Sequence, residues 1–181
     1  MRIGKVTAKA GIPPLAWTFL GTLLAISSGL AYSGYLRFDG RLGGVLLLGS
    51  GIVDIIDGSV ARALNRVSSR GAFLDSTLDR VSEIFVFSGI LVGGLADSLA
   101  VIVALSLSIM VSYIRARAEG LGVKTSGVGI GERAERILTL AALSMLGYTW
   151  LGVLVVLVLA AFTTAERTYY VSAILRKSEL R

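Results

Sequence analysis

The sequence contains no cysteine and no histidine, and each absence removes a class of chemistry. Without cysteine there can be no disulfide bond, no thiol nucleophile and no thiolate metal ligand. Without histidine there is no imidazole base and no imidazole ligand, so acid–base chemistry falls mainly to aspartate and glutamate. Proline is nearly absent too, and the two that occur are adjacent, at Pro13 and Pro14. They predict the entry to a first helix, where a missing backbone N–H does no harm.

Charge is also scarce in this chain of 181 residues. Only 17% of the residues are charged and 54% are hydrophobic, whereas a soluble domain is about 25% charged. Several apolar runs approach the ~20 residues that cross a bilayer as a helix. The composition therefore predicts an all-α integral membrane protein, with residues 1–181 forming one membrane domain. The net charge of +6 is typical of cytoplasmic-side loops in such a protein, and nucleic acid is not an expected partner.

The apolar runs predict six transmembrane helices. They begin near residues 15, 43, 73, 99, 137 and 151, and the fourth ends near Ile114. The basic segment 1–11 is predicted to be retained as a short N-terminal interfacial segment. With six spans, only Arg37 and Arg41 among the 18 Lys and Arg residues fall on the side opposite the termini. Because basic residues favour the cytoplasmic side, both termini are expected at the cytoplasmic face of the cell membrane.

Four aspartates form two pairs within this apolar sequence, Asp54 with Asp57 and Asp75 with Asp79. A charged side chain at the centre of a membrane helix costs at least ~2.5–3.5 kcal/mol, so the four carboxylates require a cation. Spacings of three and four place each pair on one helix face, and a short turn makes the two helices antiparallel neighbours. Oxygen-only ligands favour Mg²⁺, Mn²⁺ or Ca²⁺, and two such ions match four carboxylates. The alternative is the ion path of a divalent-cation channel or transporter.

The residues between the aspartates complete a longer pattern: Asp54-x2-Asp57-Gly58-x2-Ala61-Arg62-x8-Gly71-x3-Asp75-x3-Asp79. This pattern resembles the signature of the CDP-alcohol phosphotransferases, membrane enzymes that join a polar alcohol to a lipid delivered as a CDP-activated ester. All eight signature positions match at the family spacing. A channel does not explain the glycines, the alanine and the arginine at these positions.

The resemblance implies a role for each of these positions. The four aspartates would hold two divalent ions, Mg²⁺ or Mn²⁺, and Asp79 would also deprotonate the acceptor hydroxyl. A homodimer is implied as well. The family usually enters its first span through Pro-Asn-x-x-Thr, whereas this chain has Leu15 in place of the asparagine and keeps Thr18. The residues expected to bind the CDP-lipid are Thr18, Asp57, Gly58, Ala61, Arg62, Ser68, Gly71 and Asp75.

Basic residues after the fourth span are expected to select the acceptor alcohol. Their number favours recognition of a phosphate dianion, although ordinary cytoplasmic-side charge paired with glutamates is the simpler explanation for any one of them. The strings SYIRARAEGLG and GIGERAER resemble the subgroup that uses inositol 1-phosphate, which includes phosphatidylinositol phosphate and archaetidylinositol phosphate synthases. Glycerol 3-phosphate is the alternative acceptor, and the lipid tails stay open. The residues predicted to bind the acceptor phosphate are Arg115, Lys124, Arg133, Arg136 and Arg167.

Overall fold

The structure is a computed structural model that describes residues 14–35, 40–63, 68–125 and 127–179, without the side chains of 14 and 57–63. The predicted N-terminal interfacial segment lies outside these residues. Within them the regular elements are all helices and there is no strand, so the prediction of an all-α fold is confirmed. The helices are α1 Pro14–Tyr32, α2 Gly40–Ala63, α3 Ser69–Val92, α4 Ser98–Gly120, α5 Arg133–Met145 and α6 Thr149–Glu179.

Three of these helices, α1, α4 and α6, are long and apolar enough to cross a bilayer. Helices α2 and α3 have 24 residues each but carry the four aspartates of the signature and several arginines. Helix α5 has 13 residues, and at ~1.5 Å per residue it is shorter than the ~30 Å hydrocarbon layer. Length and composition thus support a membrane protein with three candidate spans, where the sequence predicted six.

Three helix ends lie four or more residues from their predicted positions, and one of them is the start of α3, at Ser69 instead of near residue 73. Helix α4 continues past Ile114 to Gly120, and the ion pair between Arg115 and Glu119, one turn apart, supports the extension. Helix α5 begins at Arg133, because the side chain of Glu135 accepts a hydrogen bond from the backbone N–H of Glu132 at 2.9 Å. The first turn of α5 therefore carries arginines that the sequence placed in a loop.

The helices pack into one bundle around a shared apolar core. Helix α1 lies against α2 and α3, α4 lies against α6, and α5 joins the two groups by contacting both α2 and α6. The core includes Leu47, Phe87, Ile90, Leu140 and Val156, all almost fully buried. This packing brings the signature helices α2 and α3 next to the first turn of α5.

Small residues allow α1 to lie very close to its neighbours. Gly29 of α1 and Gly89 of α3 are in backbone contact, and a Cβ atom on either one would overlap the other helix. On the α2 side, the buried hydroxyl of Ser50 donates a hydrogen bond to the carbonyl oxygen of Gly21 at 2.8 Å. These contacts fix α2 and α3 against a common partner, and so fix the aspartates relative to one another.

Candidate active site

Three of the four predicted aspartates converge. Asp54 of α2 and Asp75 and Asp79 of α3 each offer one carboxylate oxygen, and these three oxygens lie within 4.8 Å of one another. All three side chains are partly buried. Asp57 lies in α2, one turn beyond Asp54, where side chains are outside the described part of the chain. The structure thus brings together, from two helices, the carboxylates that the sequence placed at similar depth.

Arg133 supplies positive charge to this cluster from α5. One terminal nitrogen, Nη1, lies 3.0 Å from Oδ2 of Asp54, and the other, Nη2, lies 3.0 Å from Oδ1 of Asp79. The guanidinium therefore bridges the two signature helices. Charge-assisted contacts of this length are among the stronger polar interactions in proteins.

Behind Arg133 lies a buried ion pair between Glu83 and Arg136, each 2% exposed. Oε1 of Glu83 is 3.4 Å from Nη2 of Arg136 and 3.5 Å from Nε of Arg133. Arg136 also donates to the carbonyl oxygens of Gly131, at 2.6 Å, and Ser108, at 3.4 Å. The contacts of Arg136 are thus with buried protein groups, as expected of a charge held inside a bundle.

A cavity of about 560 Å³ opens directly beside the carboxylates. Asp75 and Asp79 of α3 line it together with residues of α4, α5 and α6, and the lining holds more arginines than carboxylates. The five arginines that line it are Arg80, Arg115, Arg133, Arg136 and Arg167. Four of the five residues predicted to bind the acceptor are therefore at this cavity. The fifth, Lys124, is exposed and is not among the lining residues.

Arg167 of α6 connects the cavity to the segment that joins α4 and α5. Its Nε donates to the carbonyl oxygen of Val128 at 2.8 Å, and Nη1 donates to that of Val111 at 3.3 Å. One turn earlier on α6, the hydroxyl of Thr163 accepts a hydrogen bond from the backbone N–H of Gly131 at 3.0 Å. Two side chains of α6 thereby hold the α4–α5 segment over the site.

The residues predicted to bind the CDP-lipid lie in several places, and one of them, Asp75, belongs to the carboxylate cluster. Thr18 lines a narrow crevice together with Asp54, Asp79 and Arg133, close to the carboxylate cluster. Ser68 caps α3, where its hydroxyl accepts a hydrogen bond from the N–H of Gly71 at 3.0 Å. This capping contact gives Ser68 and Gly71 a structural task at the start of the helix that carries Asp75 and Asp79. The side chains of Asp57, Gly58, Ala61 and Arg62 lie outside the described part of the chain.

Sequence reasoning gave no role to Glu83, although a signal for it was present. Glu83 follows Asp79 by four residues, as Asp79 follows Asp75, so the three carboxylates share one face of α3. What the spacing could not show is that this third carboxylate is buried and faces two arginines of α5. Those partners come from a helix that begins 50 residues further along the sequence.

The carboxylate cluster fits a divalent cation. Its donors are anionic oxygens, which hard cations such as Mg²⁺ and Mn²⁺ prefer, and they come close enough together to share one ion. The position of Arg133 between Asp54 and Asp79 is independent evidence that this point of the bundle attracts positive charge. Asp54, Asp75 and Asp79 are therefore the described residues that can hold such an ion.

These features are those of a membrane-embedded transferase that acts on phosphate esters, and comparison with known proteins agrees. The family described as CDP-alcohol phosphatidyltransferase matches residues 13–166. The chain belongs to this family and is a transferase, so the resemblance found in the signature is confirmed.

Individual relatives narrow the comparison. The chain is 41% identical over 175 residues to an archaetidylinositol phosphate synthase of Methanothermobacter thermautotrophicus, covering 93% of this chain and 88% of the relative. It is also similar to the crystal structure of Mycobacterium tuberculosis phosphatidylinositol phosphate synthase with CDP-DAG bound, at a TM-score of 0.76 and 26% identity, covering 94% of this chain and 92% of that one. A crystal of the same mycobacterial enzyme with manganese and citrate gives a TM-score of 0.77 at 26% identity, with 94% and 87% coverage.

Proposed function

We propose that this protein transfers the phosphatidyl-type group of a CDP-activated lipid to a hydroxyl of inositol 1-phosphate and releases CMP. The lipid is CDP-diacylglycerol or CDP-archaeol. The observation that carries the proposal is the arginine-lined cavity beside the carboxylates. A cavity that joins a divalent-cation site to several guanidinium groups suits an acceptor carrying both a hydroxyl and a phosphate dianion.

The carboxylates divide the work of the transfer. Asp54, Asp57 and Asp75 are proposed to hold two divalent ions, Mg²⁺ or Mn²⁺, with Asp79 as a further ligand. When bound, such ions offset the negative charge of the CDP-lipid pyrophosphate and of the attacking and leaving oxygens. On the protein side, Asp79 lines both the cavity and the crevice near Thr18, which are the two proposed substrate sites. This position supports Asp79 as the base.

In the proposed step the carboxylate of Asp79 takes the proton of the acceptor hydroxyl. The hydroxyl oxygen forms a bond to the lipid-side phosphorus, and the bond from that phosphorus to the oxygen of CMP breaks. CMP leaves with the electron pair of the broken bond. Thr18, Gly58, Ala61, Arg62, Ser68 and Gly71 are proposed to contact the CDP-lipid during this step.

The acceptor phosphate is proposed to bind Arg115, Arg133, Arg136 and Arg167, with Lys124 approaching from the α4–α5 segment. Arg115 is the most accessible of the arginines, with its side chain 47% exposed and its pair with Glu119 at the surface. Glycerol 3-phosphate stays the alternative acceptor, because it offers the same phosphate and a hydroxyl. The names of the relatives favour inositol phosphate.

The proposal also covers the arrangement in the membrane. All six helices are placed in the bilayer, with the site and both termini at the cytoplasmic face. The distribution of basic residues supports this orientation. The homodimer and the single domain over residues 1–181 stay predictions.

A panel assay tests the function. Purified protein with Mg²⁺ or Mn²⁺ is given each combination of CDP-diacylglycerol or CDP-archaeol with inositol 1-phosphate, glycerol 3-phosphate or serine, and CMP release is measured. We expect release with inositol 1-phosphate and little with serine. Release with glycerol 3-phosphate alone would move the assignment to that acceptor, and no release with any pair would refute the proposed reaction.

A further inference from the structure

Arg133 lies where a divalent cation would be held, and this position sets up a competition. Its two terminal nitrogens each lie 3.0 Å from an oxygen of the cluster, one on Asp54 and one on Asp79. The oxygens that would bind a metal ion are thus already engaged by a permanent cation of the same chain. A guanidinium and a divalent ion cannot occupy the space between these carboxylates together, because their positive charges repel one another.

The present position of Arg133 leaves two buried polar atoms unsatisfied. In the described part of the chain, Nε of Arg133 has no hydrogen-bond acceptor and Oε2 of Glu83 has no hydrogen-bond donor. The two groups are neighbours, since Nε lies 3.5 Å from Oε1 of the same glutamate without hydrogen-bond geometry. Buried groups of this kind ordinarily find partners. Arg133 therefore pairs with Asp54 and Asp79, while Oε2 of Glu83 can still accept a hydrogen bond.

We propose that Arg133 is the built-in counter-ion of the metal-free site and that a divalent cation displaces it onto Glu83. An arginine presents two hydrogen-bonding edges, and a carboxylate can take one of them in a bidentate contact. When Nη1 and Nη2 of Arg133 leave Asp54 and Asp79, the edge of the guanidinium that carries Nε can pair with both oxygens of Glu83. The other edge then faces the cavity, which Arg133 already lines.

The exchange couples the metal to the acceptor, and this consequence rests on the proposed function. Before metal binds, the two terminal nitrogens of Arg133 contact carboxylates and cannot bind a phosphate. After metal binds, one edge of the same guanidinium is available to an anion in the cavity. Glu83 is thus a positioning residue, because it acts on the substrate only through Arg133.

Metal affinity without substrates tests the exchange. Mn²⁺ binding to the purified full chain is measured by electron paramagnetic resonance for the native sequence, Arg133→Gln, Arg133→Lys and Arg115→Gln. Because a hydrogen bond to a charged group contributes at least about a tenfold factor, Arg133→Gln is expected to bind Mn²⁺ about tenfold more tightly or better. Arg133→Lys keeps the charge but cannot bridge both carboxylates, so its affinity should lie between those of the native chain and Arg133→Gln.

Arg115→Gln is the matched control, since it removes one positive charge from the same cavity without touching the carboxylate cluster. Its Mn²⁺ affinity should stay within about threefold of the native value, as screening weakens exposed charges. Equal tightening in both glutamine variants would mean a general charge effect and would overturn the exchange. Unchanged, weaker or absent Mn²⁺ binding in Arg133→Gln would overturn it too.

A second measurement reports the coupling. Inositol 1-phosphate binding to the native chain, followed by calorimetry without CDP-lipid, is expected to strengthen at least about fivefold when saturating Mg²⁺ is present. In Glu83→Gln the gain should largely disappear, because the displaced guanidinium loses its anionic partner. If Mg²⁺ strengthened inositol 1-phosphate binding as much in Glu83→Gln as in the native chain, Glu83 would have no positioning role. Failure of the proposed function would appear separately, as absent CMP release, while the Mn²⁺ affinities would still report the exchange.

Discussion

At the scale of single residues, the site separates into carboxylates that line the cavity or the crevice and a carboxylate that is buried against protein. Asp79 borders the cavity and the crevice beside Thr18, whereas Glu83, one turn further along α3, is 2% exposed and faces two arginines. The same helix face thus changes from carboxylates that line the cavity to a buried carboxylate within two turns. Depth in the bundle, rather than residue type, makes the difference.

This distinction leads to a prediction for Asp79. Asp79→Asn keeps the shape of the side chain but removes its capacity to take a proton, so CMP release should fall by at least about a hundredfold. Binding of CDP-lipid, measured by calorimetry, should be largely preserved. The matched control is Asp97→Asn, because Asp97 caps α4 through a 2.9 Å bond from the N–H of Ala100 and asparagine caps equally well. Native turnover in Asp79→Asn would exclude Asp79 as the base.

At the scale of helices, the site depends on how closely α1 approaches α3. The backbones meet at Gly29 and Gly89, with no room for a side chain on either. Since α1 also contacts α2, this approach sets the separation of the two aspartate-bearing helices. Close contact between glycines is a common basis of helix association in membranes, because the burial of apolar side chains contributes little to association in lipid.

Gly89→Ala should therefore separate α1 from α3. Overpacking of this kind costs about 1–3 kcal/mol, so we expect a lower unfolding temperature in detergent and reduced CMP release. Gly120→Ala provides the control, because a Cβ there meets nothing within 4 Å. It should leave stability unchanged or raise it by up to about 1 kcal/mol. Equal unfolding temperatures for the two variants would contradict the role assigned to the close approach.

The α4–α5 segment gives a second prediction at this scale. Thr163→Val preserves the shape of the side chain but removes the acceptor of the Gly131 N–H, leaving a buried donor unpaired at a cost of about 1–3 kcal/mol. The segment should loosen over the cavity, and the KM for inositol 1-phosphate should rise several-fold while that for CDP-lipid stays near native.

Thr168→Val is the matched control on the same helix. Its side chain is exposed, and in the described part of the chain its hydroxyl donates a hydrogen bond to the carbonyl oxygen of Thr164 within α6. Steady-state kinetics with each substrate varied in turn should show no change in this variant. A parallel rise of both KM values in Thr163→Val would indicate general loosening of the bundle rather than an effect on the acceptor side.

At the scale of the whole molecule, the proposed orientation places the site and both termini on one side of the membrane. The native sequence has no cysteine, so a single introduced thiol reports its own position. Ser178→Cys, near the end of α6, should react with a membrane-impermeant maleimide only from the cytoplasmic side. Ser98→Cys, at the start of α4, should react only from the opposite side. Labelling of both from the same side would refute the six-span arrangement.

Sequence reasoning predicted the helices well where a pattern was local. Apolar runs located all six described helices; the start of α3 lies four residues before its predicted position, and the ends near Ile114 and Arg133 differ by four to six residues. Those two ends depend on side-chain contacts, the Arg115–Glu119 pair and the Glu135 cap, which extend a helix through polar sequence. The number of spans was harder to predict, because α5 is short and α2 and α3 carry charge.

The sequence by itself determined the family and the position of the carboxylates. Helical periodicity places Asp75 and Asp79 on one face, and a short connection brings Asp54 beside them, so both inferences rest on neighbours along the chain. The tertiary structure alone decided that the guanidinium of Arg133 contacts Asp54 and Asp79. Arg133 lies 79 positions from Asp54, and Arg136 lies 53 from Glu83. Such pairings follow from how α5 packs between α2 and α6, which no local spacing encodes.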